Sequence, residues 1–172
     1  MLTQRVLDMF DDHHRRATAI MTAQRALLTP GSLPDPAAQA RHRWELLRVL
    51  VEFQIFKHRD IFDPIIRRGD PRTAPQAQIM KEECAALGME VRAFVTCWSD
   101  GSVERDWDRF RAATLALIAK VERGLIGQRR TLVMMAATAP RPPAPVPAAN
   151  GPDPTGPAPS APVPVSTYAG RR

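Results

Sequence analysis

The sequence predicts an all-α fold: an up-down-up-down antiparallel four-helix bundle with a disordered Pro/Ala-rich C-terminal tail. Three observations carry that expectation. Four long segments repeat apolar residues at i, i+3, i+4 and i+7, the spacing of one helix face. No segment alternates with a period of two, so no sheet is expected. The connections are short and rich in Pro, Gly and Asp, which favours antiparallel neighbours.

The first segment runs from about Thr3 to Thr29. Its stripe is Val6, Leu7, Phe10, Ala17, Ile20, Met21, Leu27 and Leu28, with His13, His14 and Gln24 in the gaps. Pro30, Gly31, Pro34 and Pro36 end it. The second segment, about Ala37 to Arg68, carries Leu46, Leu47, Leu50, Phe53, Gln54, His58, Ile61 and Ile65. Pro64 is expected to kink or stop its last turn, because proline lacks the N–H and its ring meets the carbonyl four residues back. The third segment, about Ala74 to Trp98, carries Met80, Cys84, Leu87, Val91, Phe94, Val95 and Trp98. The turn Ser99-Asp100-Gly101-Ser102 follows, with Asp100 or Ser102 able to cap the next helix. The fourth segment, about Val103 to Met135, carries Trp107, Phe110, Thr114, Leu117, Ile118, Val121, Leu125, Gln128 and Leu132. Phe53, Leu87, Phe94, Leu117 and Val121 are the expected buried core.

From Ala136 onward the composition changes. Of the 17 prolines in the 172-residue chain, 11 lie here, and Tyr168 is the single aromatic. Such a segment buries too little apolar surface to offset its ordering entropy, so residues 136–172 are expected to form a flexible or polyproline-like extension. Residues 1–135 remain, enough for one core without disulfides or metal staples.

Charge and cysteines narrow the classes. The formal charge is +6, and the tail holds Arg141, Arg171 and Arg172 against Asp153. The charges of the helical part are interspersed, and the short basic runs Arg15-Arg16, Arg67-Arg68 and Arg129-Arg130 read as solvated helix surface. No specific nucleic-acid partner is expected. Cys84 and Cys97 lie on one predicted helix, more than three turns apart, so they cannot bridge each other there and match no CxxC motif. Two free thiols fit a reducing cytoplasm, and the acidic N-terminus does not read as a signal peptide. No apolar run is long enough for a membrane span. There is no glycine-rich phosphate loop, GxSxG or HExxH, and no hydroxyl pairs with a histidine, so no enzyme is expected.

Bundles build sites from polar side chains that point inward. The polar positions on the stripes are His13 or His14, Gln24, Gln54, His58, Cys84 and Gln128. Gln54 and His58, one turn apart, share a face. His13, His14, His58 and Cys84 are the candidate metal ligands, and Gln54 and Gln128 the candidate polar core layer. As structural residues, the histidines would be partly exposed or hydrogen-bonded and Cys84 a small core residue. As ligands, two or three imidazoles and a thiolate suit one borderline cation.

The run Leu46-Leu47-Arg48-Val49-Leu50-Val51-Glu52-Phe53-Gln54-Ile55-Phe56-Lys57-His58-Arg59-Asp60-Ile61-Phe62-Asp63-Pro64 resembles the second helix of hemerythrin-like (HHE cation-binding) domains. Asp12-His13-His14-Arg15 is similar to the first-helix step of that family, and Lys81-Glu82-Glu83-Cys84 to its third-helix Glu-Glu-His step. The run from Val121 to Leu132 is similar to its last helix, and the likeness extends over residues 3–135. The resemblance implies a four-helix bundle descended from a non-haem di-iron protein of oxygen binding or iron and redox sensing. The ligand positions depart from the pattern. Gln54 stands at the second-helix His, His58 at the Glu, Cys84 at the third-helix His and Gly124 at the last-helix His. Gln128 or Arg129 stands at the last carboxylate, and only His13 or His14 survives. A weaker resemblance is to an anti-sigma type of helical regulator.

The expectation is therefore a non-catalytic bundle, a binding or regulatory module with a degenerate metal site and no cofactor. Its partner would be another protein, with the Pro-rich tail as a docking segment. The alternatives are a sensor or redox protein that binds one iron or zinc ion through the reduced site, and an anti-sigma-type regulator. His58, on an inward stripe, is expected to stay neutral near pH 7 and to pair with Gln54, His13 or His14.

Overall fold

The computed structural model describes residues 2–29 and 35–138, and these are all-helical, with no strand among them. The Pro/Ala-rich tail expected over residues 136–172 lies outside the described residues from 139 on. The last helix runs to Thr138, just past the boundary expected at Met135.

Helix α1 spans Gln4–Ala26, and Thr3 caps it by accepting from the Val6 N–H. Helix α2 spans Pro36–Phe56. Asp35 is its N-cap, accepting from the Ala38 N–H at 3.1 Å, and Pro36 enters at the first turn, where no N–H is needed. The chain then widens into a π-helical turn over Lys57–Phe62 and continues as α3, Asp63–Arg68. Pro64 is the physical reason for the wide turn. Its ring would press on the Asp60 carbonyl of a regular α-helix, and the wider turn relieves that clash while the Asp63 N–H reaches His58 O. Gly69 ends α3 at φ 65°, a left-handed conformation that favours glycine. Helix α4 spans Ala74–Cys97. The expected fourth segment is split in two: a single turn α5, Ser102–Arg105, then the long α6, Trp107–Thr138. Asp106, at φ −139° and ψ 55°, makes the break, and its carbonyl accepts from the Phe110 N–H.

Helix α1 packs against α2 and α6, and α4 packs against α2 and α6. The main core gathers Phe10, Met21, Val49, Phe53, Phe56, Ile61, Phe62, Met80, Ile118, Val121 and Leu132 from these helices. A smaller cluster at one end joins Leu28, Trp98, Val103 and Phe110, with Phe94 and Trp107 against it. Ion pairs tie the helices outside the core. Arg25 holds Glu122 through two bonds of 2.6 and 2.7 Å, Arg129 holds Asp11 at 2.7 Å, and Lys120 holds Glu90.

Phe53 and Val121 are buried as expected, whereas Leu87, Phe94 and Leu117 are only half-buried. Leu87 borders an open cleft between α4 and α6, and Phe94 lies on the outer side of the end cluster. The inward stripe of α2 is also rotated from expectation. It runs through Leu46, Val49, Phe53, Phe56 and Lys57, then Ile61 and Ile65, so His58 falls beside the stripe.

Phe53→Ala should cost about 3–5 kcal/mol, as lost transfer energy plus a cavity. Phe94→Ala should cost clearly less, because its ring is only half removed from water. Urea denaturation of the two variants checks the order.

Candidate functional site

The centre of the helical unit holds a lysine. Lys57 is 4% exposed. Position 57 follows Phe53 by four residues, and the π-helical turn that begins there carries the side chain into the core. Its Nζ donates to Gln128 Oε1 at 2.9 Å and lies 4.6 Å from the centre of the Phe53 ring, a cation–π contact. Cys84 stands beside it on α4. No carboxylate pairs with Lys57 among the described residues. Burial pushes its amine below the ordinary lysine value, and the neighbouring Cys84 opposes that only in part.

The chain has three lysines. Lys81 pairs with Asp63 at 2.6 Å, and Lys120 with Glu90 at 2.7 and 2.6 Å. Among the described residues Lys57 differs from both in lacking a counter-charge.

Two of the six residues expected to form the site, Cys84 and Gln128, meet around Lys57. The other four stand apart from that contact. His13 is half-buried, its ring stacked 5.2 Å from Phe53 and 4.9 Å from Phe56. His14 lies edge-on to Phe10 at 6.2 Å, near the Asp11–Arg129 pair. His58 is tilted against Phe62 at 5.7 Å. It lines a shallow groove with Val51, Gln54, Ile55, Arg59, Asp63 and Arg92. Gln54 Oε1 accepts weakly from Arg92 at 3.4 Å and is pressed against α4 at Gly88, where a Cβ would come within 2.3 Å of it. His58 Nε2 has no hydrogen-bond partner among the described residues, so the expected pairing with Gln54, His13 or His14 is not formed. The wide turn explains this placement: it sends Lys57 into the core and leaves His58 at the edge.

Burial depresses all three imidazoles below the usual histidine value. A lesser contribution common to the three is the positive charge of Lys57. His13 also feels Arg16, His14 feels Arg129 and His58 feels Lys81.

Among the described residues no three His, Cys, Asp or Glu side chains converge as a bound metal would need. The donor set at the centre fits a cation poorly for a second reason. Gln128 Oε1 and the face of Phe53 are already turned towards an ammonium, whose charge would repel a metal ion.

Toward the α1/α2 end lies a second buried polar group that the stripe pattern did not mark beyond Gln24. Gln24 Nε2 donates to Gln39 Oε1 at 2.6 Å, and Arg43 lies 5.5 Å from the Phe110 ring. Arg43 Nε and Nη1 have no hydrogen-bond partner among the described residues. Lys57, Gln39 and Arg43 escaped the sequence reading for one reason: long polar side chains are rarely fully buried, so they read as surface. The signal that could have found Lys57 is its four-residue spacing from Phe53, just before a proline-relieved turn.

A cleft of about 490 Å³ opens between α4 and α6, with Met80 and Leu87 on one wall and Gly124, Gly127 and Gln128 on the other. The two glycines leave the α6 wall bare, and nothing lies within 4 Å of a Cβ built at Gly127. Compared with known proteins, the chain matches no family model, no curated protein and no solved structure. No described helix is long and apolar enough to cross a membrane.

Two expectations follow. In an NMR titration His13, His14 and His58 should all titrate below the ordinary histidine value of about 6.5. The second concerns alkaline stability. Between the depressed folded value of Lys57 and the unfolded value of about 10.4, the unfolded chain binds the proton and the folded chain does not. Stability from this group is complete above the unfolded value and is lost as pH falls through the folded one. Lys57→Met should flatten the rise in stability above neutral pH, measured by urea denaturation at stepped pH.

Proposed function

We propose that this chain is a non-catalytic helical bundle of hemerythrin-like descent, a binding or regulatory module whose degenerate metal centre is filled by its own lysine. The four long helices are read as an up-down-up-down bundle, with the π-helical turn and α3 extending the second helix and α5 preceding the fourth. One observation carries the reading: the buried ammonium of Lys57, held by Gln128 and Phe53 beside Cys84. Gln128 and Cys84 are two of the positions where the resemblance places metal ligands. An internal cation there supplies the positive charge that a metal would supply, and needs no carboxylate. That accords with the loss of acidic ligands at positions 58 and 128.

The rival reading, one iron or zinc ion on His13 or His14, His58 and Cys84, requires these side chains to converge. His13 is stacked on Phe53 and Phe56, while His58 lines the outer groove beside Asp63. With no metal or catalytic chemistry in the reading, the function left to the bundle is recognition of another protein, to which residues 139–172 would add a Pro-rich docking segment.

Elemental analysis tests the proposal. Protein purified without added metal should hold no stoichiometric iron, zinc or copper, and a strong chelator should leave its melting temperature unchanged. Stoichiometric metal that disappears in His58→Ala would refute it in favour of the sensor.

A further inference from the structure

A buried lysine without a counter-charge is also a nucleophile. Lys57 borders a small, partly open space of about 30 Å³, lined also by Phe53, Cys84, Leu87 and Val121. Room for a few atoms therefore lies next to Nζ. Leu87 lines both this space and the outer cleft of about 490 Å³, and Gln128, which accepts from Lys57, lines the cleft as well. Leu87, common to both spaces, and Gln128, common to the cleft and the amine, thus stand between Nζ and the cleft. Leu87 is half-buried, and its Cδ2 is 3.4 Å from where a Cβ on Gly124 would lie, so the glycine leaves it space to swing. Both are single rotamer-bearing side chains that move without unfolding a helix.

We propose that Lys57 is a covalent capture site for short-chain aldehydes entering from the α4/α6 cleft, which form an imine with its Nζ. In the step, the neutral amine attacks the carbonyl carbon. A C–N bond forms and an amine proton passes to the carbonyl oxygen, giving a carbinolamine. Loss of the hydroxyl with the remaining amine proton then yields the C=N bond and one water, with no oxidant or reductant. The chemistry needs an unprotonated amine in a dry site, and burial raises the share of Lys57 in that form above that of a solvated lysine. The small inner space limits the reacting end to an aldehyde without branching at its first carbons, and the cleft takes the rest of an apolar chain along Met80 and Leu87. Lys81 and Lys120 lack these conditions, because each is more open to water and lies in an ion pair with a carboxylate. This inference is independent of the descent of the fold.

The test is reductive trapping. The full chain is incubated with butanal and sodium cyanoborohydride at neutral pH, sampled at early times, and mapped by peptide mass spectrometry. Labelling at Lys57 should outpace that at Lys81 and Lys120 severalfold, because a lowered amine value raises the free-amine fraction. Labelling at Lys57 that is equal to or slower than at the two ion-paired lysines would overturn the proposal. A second arm uses Gln128→Glu, which places a carboxylate against Nζ and keeps it protonated. Where circular dichroism shows that variant folded, its Lys57 labelling should fall to the level of Lys81 or below. Undiminished labelling would show that the amine's charge state does not govern the reaction, and would overturn the mechanism.

Discussion

The ammonium of Lys57 sits between Gln128 Oε1 at 2.9 Å and the face of Phe53 at 4.6 Å, and the central packing must accommodate it. Removing such a charge from water costs several kcal/mol even after relaxation. A hydrogen bond to a charged group returns roughly 1.5–3 kcal/mol and a desolvated cation–π contact about 2 kcal/mol. The two contacts therefore cover a large part of the cost without a carboxylate, and partial loss of the proton covers more. What remains is tension at the centre, and the surroundings carry its marks. Burial chiefly, with a smaller contribution from the Lys57 charge, pushes the three imidazoles toward neutrality, and Cys84 rather than an acid stands beside the amine on α4.

The same constraint divides the molecule into a tight side and a loose one. Helix α1 is strapped to α6 by Arg25–Glu122 and Arg129–Asp11, and to α2 by Arg16–Glu52. The α4/α6 side has the Lys120–Glu90 pair, but Gly124 and Gly127 leave it open below. Gln128 belongs to both regions, since its amide holds the lysine and its side chain walls the cleft. Any ligand that rotates Gln128 must also release Lys57, so the cleft and the buried charge are mechanically one site.

Much of this was legible in the chain. The all-helical class, the four long segments and the helix ends at Thr3 and Gly69 follow from periodicity and punctuation. The candidate site was half legible. Gln128 and Cys84 stand out because they interrupt apolar stripes, and both meet at the centre. Lys57 could not be read that way. Its neighbour His58 looked like the inward residue, and only the π-helical turn, imposed by Pro64, decides between them. A shift of one residue in where a wide turn begins exchanges a titratable imidazole for an ammonium. Periodicity alone is too coarse to fix that shift, because the α-helical stripe is a band and not a line. Phe94 and Leu87 illustrate the same limit at the band's edge, where helical spacing places a residue on the inner face without saying how deep it lies.

The most direct measurement is the ionisation of Lys57 itself. With three lysines in the chain, side-chain carbon resonances of lysine-labelled protein are few enough to assign through single Lys→Arg variants at positions 81 and 120. The account predicts that one set titrates below the ordinary lysine value of about 10.4, and that it is the Lys57 set. Three coincident titrations at that ordinary value would contradict it: Lys57 would then be a solvated surface lysine, and the centre would hold no buried cation.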